Sequence, residues 1–135
     1  MSEENVEALR RGTEAFNRRD IEAMLKEVDD EVEWHAVLPV TLGGEATVSR
    51  GHDGVREMFR DLFDVLDEIH VEYVEIRDLG GRVFATGRLR TRGKGSGAEI
   101  ESPYFAVVDM KNGKALRFST YLDLGEALEA AGLSE

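Results

Sequence analysis

The sequence predicts an α+β domain, helices first and strands after, and three observations carry that expectation. Apolar residues recur at helical spacing through the first half of the chain and alternate through the second. Asn112-Gly113, between two alternating runs, is the strongest short hairpin signal in the chain. Helices grouped ahead of strands, rather than interleaved with them, indicate a mostly antiparallel sheet with helices packed on one face.

Each element follows in order. From Ser2, the positions Val6, Leu9, Thr13 and Phe16 mark a first helix ending near Asn17. Asp20 suits the cap of a second, with Ile21, Met24, Leu25 and Val28 as its apolar stripe and Asp29-Asp30 as its stop. VEWHAV (32–37) reads as a short strand. The next stretch, LPVTLGGEATVSRG, has three glycines and no helical period, and reads equally as a lid or as a solvated connection. HDGVREMFRDLFDVLDEIH has the broadest apolar face, from Val55 through Phe59, Leu62 and Phe63 to Leu66 and Ile69, and predicts the third helix, with Asp53 as its cap. Four strand-like runs close the chain, at 71–78, 82–92, 98–110 and 115–123, separated by LGG, GKGSG and NG. A short Ala/Leu helix follows at once. The 135 residues fit a single domain spanning 1–135.

Composition excludes several classes of function. With 28 Asp and Glu against 17 Lys and Arg, the net charge of -11 opposes attraction to phosphate backbones and anionic lipid, so neither nucleic acid nor membrane is an expected partner. Without cysteine there is no disulfide, thiolate nucleophile or Cys-based metal site. His35, His52 and His70 are too far apart in sequence for a helical metal pair, and no metal is expected. No run approaches the roughly 18 apolar residues of a membrane span, and the N-terminus lacks a secretory pattern, which predicts a cytoplasmic protein. GKGSG lacks phosphate-loop spacing, and no Gly-x-Ser-x-Gly elbow or dinucleotide fingerprint is present.

One strand is apolar on both faces. In 98–110, Ile100, Tyr104, Ala106, Val108 and Met110 share one parity, and Pro103, Phe105 and Val107 the other. Helices cover only one side of the sheet, so a second copy of the chain is the simplest cover for the other. A homodimer is expected through Phe105, Val107, Phe118 and Leu122. The opposite assignment of faces stays open, because parity does not say which face is inside.

The candidate chemical groups each have two readings. Asp123 followed by Glu126 resembles a capping box for the last helix, and it also ends a strand where a carboxylate could act on a ligand. His35, next to Trp34, is either a surface histidine or a proton-exchanging group near neutral pH. Tyr104 and Tyr121 carry phenols that need partners if buried and could give a hydrogen bond to a ligand carbonyl. Trp34, Met58, Phe59 and Phe63 either fill a core or line a cavity.

Several segments in fixed order carry a resemblance: AFNRRDIEAMLKEVDDEVEWH, RGHDGVREMFRDLFD, RGKGSGAEIE and GKALRFSTYLDLGEALEAAGL. Together they resemble the SnoaL-like branch of the nuclear-transport-factor-two-like superfamily, to which ketosteroid isomerase is related. The resemblance implies a cone-shaped α+β barrel, with three helices closing a strongly curved sheet around a pocket for a small, mostly apolar ligand. It also implies frequent dimerisation through the sheet. In SnoaL-like cyclases an Asp matching Asp123 is acid or base, which would set Asp123, Tyr121, Ser119 and Arg117 on the pocket face. Many relatives carry a histidine on the penultimate strand, near the position where this chain has Ala106. The function this implies is a cofactor-independent isomerase, cyclase or hydratase acting on a hydrophobic carbonyl or polyketide-like molecule, with Asp123 as acid/base and His35 or Tyr104 assisting. Its substrate wall would be Trp34, Met58, Phe59, Phe63 and Tyr121. A non-catalytic binder of the same ligands, or a dimerisation module with a filled core, are the alternatives.

Overall fold

The computed structural model describes residues 2–37, 48–95 and 97–133. Helix α1 (Ser2–Asn17) is followed by the short α2 (Ile21–Leu25), strand β1 (Val28–His35) and strand β2 (Val48–Arg50). Helix α3 (Gly51–Val65) then runs directly into four long strands, β3 (Leu66–Asp78), β4 (Arg82–Gly93), β5 (Glu99–Lys111) and β6 (Lys114–Tyr121), and α4 (Leu124–Ala131) ends the chain. The six strands form one sheet in the order β2-β1-β6-β5-β4-β3, which does not close on itself. Every neighbouring pair is antiparallel except β1 and β6.

Two predicted boundaries move, for one physical reason. The second helix ends at Leu25 and not at Val28, and the third at Val65 and not near Ile69. In both places an apolar residue that fits a helical stripe also fits an alternating one. Val28 pairs with Ala115, and Leu66 leaves the helix with φ -117 and ψ 127 to pair with Gly93. Sheet pairing outweighs local periodicity where the two disagree. Asp20 caps α2 as predicted, accepting a hydrogen bond from the Ala23 amide. Asp53 does not cap α3; Arg50 holds that position, and Asp53 pairs with Arg56 at 2.6 Å. Of the glycine-containing stretch, 38–47 lies outside the described residues, and Val48–Arg50 is an edge strand rather than a loop.

The core lies between α1, α2, α3 and the concave face of the sheet. Val32, Val55, Val83 and Val108 are its most deeply buried large side chains, and Trp34 stacks on Phe118 with centroids 4.0 Å apart. Asn17 fastens α1 to the sheet: its side chain donates to the Val71 carbonyl (2.9 Å) and accepts from the Val71 amide (3.0 Å). Between Tyr73 and Glu75 the β3 register shifts by a bulge, opposite Gly87. A methyl group at Gly87 would collide with the Glu72 carbonyl oxygen, so only glycine lets β4 pass this close to the bulge.

The convex face of the sheet has its own cover. Phe84, Phe105 and Val107 form a second apolar cluster with Ala127 and Ala131 of α4. The outward position expected for Phe118 is corrected: its register partners Val108 and Trp34 are core residues, and it points inward with them. Leu122 also packs against the main core. Further along the convex face the side chains are charged, with Arg88 on Glu101 (2.7 Å) and Arg90 on Glu68 (2.9 Å). Phe105 and Val107, two of the residues expected at a dimer face, are thus buried within the chain.

Candidate functional site

The concave side encloses a narrow chamber of about 60 Å³. Helix α1 presents Leu9, Thr13 and Phe16 to it, α2 presents Met24, and α3 presents Phe59 and Leu62. From the sheet come Trp34, Val71, Tyr73, Tyr104, Met110 and Phe118. The wall is overwhelmingly apolar because these are the inward positions of the alternating strands and the stripe positions of the helices. Thr13, Glu27, Tyr73, Tyr104 and Thr120 are its polar exceptions. Two of these are occupied elsewhere. Thr13 donates back to the Leu9 carbonyl at 2.8 Å, and Glu27 is held by Arg11 through two hydrogen bonds of 3.0 and 3.2 Å.

The phenols are the chemically distinctive part of the wall. Tyr73 and Tyr104 rise from one cross-strand row on either side of Gly87, their rings 6.3 Å apart and 20° from parallel. Burial pushes the Tyr104 hydroxyl up from about 10 to about 12, while the Thr120 hydroxyl beside it acts in the opposite sense. Burial raises Tyr73 well above the ordinary value, and the neighbouring Tyr104 adds to the effect. Both phenols stay protonated at any physiological pH and can donate a hydrogen bond.

Asp123 stands outside this chamber. It is exposed, and its carboxylate accepts from the Glu126 amide at 2.9 Å as the N-cap of α4. The expected grouping of Asp123, Tyr121, Ser119 and Arg117 on the pocket face is corrected: Ser119 pairs with Val107 and Arg117 with Asp109, on the convex side. His35, half-exposed, has Nε2 3.1 Å from Glu33 Oε1, and Arg50 holds the other Glu33 oxygen at 3.0 Å. These contacts, that of His35 foremost, lower the Glu33 carboxyl. His35, Tyr121 and Asp123 border a second hollow, an open groove of about 450 Å³ that shares Ala36 and Thr120 with the chamber. At that junction the Thr120 hydroxyl accepts from the Val37 amide at 2.9 Å.

The predicted site residues thus divide between two places. Trp34, Phe59 and Tyr104 share the chamber, and His35, Tyr121 and Asp123 share the groove. Met58 and Phe63 pack against the core outside the chamber wall, Phe63 beneath the Arg19 guanidinium at 4.6 Å. Tyr73 and Thr120 went unnoticed in the sequence. Tyr73 could have been found, since it alternates with Ile69 and Val71 once β3 is started at Leu66. Among the described residues no three His, Asp or Glu side chains gather to hold a metal ion, and no helix is long and apolar enough to cross a membrane.

The fold is the point on which the comparisons converge. The profile of the SnoaL-like domain matches residues 9–118. The chain belongs to the SnoaL-like domain family. Among solved structures, this SnoaL-like domain is similar to an NTF2-like protein of unknown function from Burkholderia pseudomallei, at 25% identity over 93% of this chain and 95% of that one, with a TM-score of 0.81. It is similar to TerC, co-crystallised with polyporic acid, at 25% identity over 96% and 98% of the two chains, with a TM-score of 0.80. A protein from Catenulispora acidiphila with the ketosteroid isomerase-like fold, in complex with trimethylamine, shares the architecture at 12% identity, covering 95% and 94%, with a TM-score of 0.76. No curated protein sequence matches this SnoaL-like domain.

Proposed function

We propose that this SnoaL-like domain binds a small, mostly apolar molecule in its chamber and holds a carbonyl-type oxygen of that molecule with the Tyr104 hydroxyl. The observation that carries this reading is a buried, neutral phenol set in an otherwise greasy wall. Such a wall favours apolar surface, and a few placed donors fix its orientation. The size of the chamber bounds the ligand. Its 60 Å³ is well below the roughly 150 Å³ of an apolar cavity that takes benzene, so a ring enters only as Met24 and Met110 yield, which flexible thioethers do at small cost. TerC, similar to this chain at 25% identity, was co-crystallised with polyporic acid, which supports the reading.

Acid–base chemistry of the isomerase, cyclase or hydratase kind is the second reading. It draws on the junction at Ala36 and Thr120, where the groove bearing His35 and Asp123 meets the chamber. On this reading His35, oriented by Glu33, takes or returns a proton on the ligand, and Asp123 acts from the same groove.

The test uses cyclohexanone as a probe and Trp34, the single tryptophan of the chain and part of the chamber wall, as the reporter. Binding is expected to quench Trp34 fluorescence, and Tyr104→Phe to weaken it about five- to tenfold, the worth of one buried hydrogen bond. Ala115→Leu, which fills part of the chamber, is expected to abolish it. Unchanged affinity in both variants ends the pocket reading. Exchange of the probe's α-protons in heavy water, followed by NMR and lost in His35→Gln or Asp123→Asn, separates enzyme from binder.

A further inference from the structure

We infer that Tyr73 is a second ligand-facing donor, and that the chamber is specific for a compact apolar molecule carrying two acceptor oxygens, of the dicarbonyl class. The inference rests on the pocket reading above and adds to it the number of acceptors. Tyr73 lies deep in the fold yet keeps accessible surface, and the space it borders is the chamber. Among the described residues its hydroxyl makes no hydrogen bond. Buried phenols normally have a partner, so this one is satisfied by what the chamber holds, water when no ligand is bound.

The position of Tyr73 is built, not incidental. A bulge follows it in β3, Gly87 opposite lacks the side chain that would separate it from Tyr104, and no other residue fits at Gly87. The chain thus keeps a costly local geometry that sets two neutral donors 6.3 Å apart, ring to ring, in an apolar wall. A ligand with one acceptor leaves one phenol unpaired once water is expelled. A ligand with two satisfies both, and a site with fixed donors discriminates strongly against analogues that lack an acceptor.

Cyclohexanone and cyclohexane-1,4-dione, equal in ring size and differing in acceptor count, test the inference. Tyr73→Phe is expected to weaken the dione about tenfold and cyclohexanone less than twofold, whereas Tyr104→Phe weakens both. In the wild-type protein the infrared carbonyl bands of bound dione are both expected to fall below their position in an apolar solvent. A dione affinity unmoved by Tyr73→Phe, or one carbonyl band left at the apolar-solvent position, overturns the inference while cyclohexanone binding leaves the pocket standing. Failure of the wild type to bind cyclohexanone removes the pocket and this inference with it.

Discussion

Asp123 and Tyr104 show how differently two polar side chains near the same strand end can be employed. Asp123 is solvated and satisfies the first turn of α4 through the Glu126 amide. Replacing it with Asn retains the cap and is expected to leave the melting temperature within about 1 °C, whereas Asp123→Ala should cost about 1 kcal/mol, or roughly 3–5 °C by calorimetry. Tyr104 is set the other way, by desolvation, and makes stability depend on alkaline pH. Its phenol ionises near 10 in the unfolded chain and near 12 in the folded one. Below pH 10 both states keep the proton and nothing changes. From about pH 10 to 12 the unfolded state alone ionises, so stability is expected to fall as pH rises, and urea melts of wild type and Tyr104→Phe across that window should diverge. The upward shift at Tyr73 acts in the same direction.

At the scale of elements, the strand runs and turns were legible because both depend on signals confined to a few neighbours: alternation, and glycine or Asn-Gly where φ must be positive, as at Asn112 (51°) and Gly113 (78°). The element boundaries at Val28 and Leu66 were not, because helix and strand periods coincide there and only the distant partners Ala115 and Gly93 decide. The same holds for the site. Trp34, Phe59 and Tyr104 were singled out from residue type alone, but no local rule places Tyr73 beside Tyr104, since Gly87 and the β3 bulge bring them together. The resemblance set Asp123 on the pocket face of a strand read through residue 123, whereas β6 ends at Tyr121 and Asp123 caps α4. Gly87→Ala tests the bulge. Pressed against the Glu72 carbonyl, it is expected to lose about 3 kcal/mol or more, read as a lowered urea midpoint with an unchanged slope. A surface alanine substitution such as Arg88→Ala, which breaks only the solvated pair with Glu101, is expected to cost well under 1 kcal/mol.

Taken whole, the molecule covers both faces of its sheet, three helices on one side and α4 on part of the other. Ending the chain at Asp123 would bare Phe84, Phe105 and Val107 together. Such a truncation is expected to bind hydrophobic dyes and to sediment as larger species than the full chain, and identical sedimentation would mean that α4 protects nothing. Beyond α4 the convex face carries the Arg88–Glu101 and Arg90–Glu68 pairs.

The parallel pairing of β1 with β6 has a consequence for biosynthesis. β1 is made well before β6, and Val37 waits for Thr120 across 83 positions of chain. Closing so long a loop is slow compared with forming a hairpin. A nascent chain can bring Phe59 edge-on to Trp34, but Trp34 has no ring to stack on until Phe118 has emerged. Folding of the half that builds the hollow therefore waits for β6, and a chain halted before Phe118 lacks the ring on which Trp34 stacks.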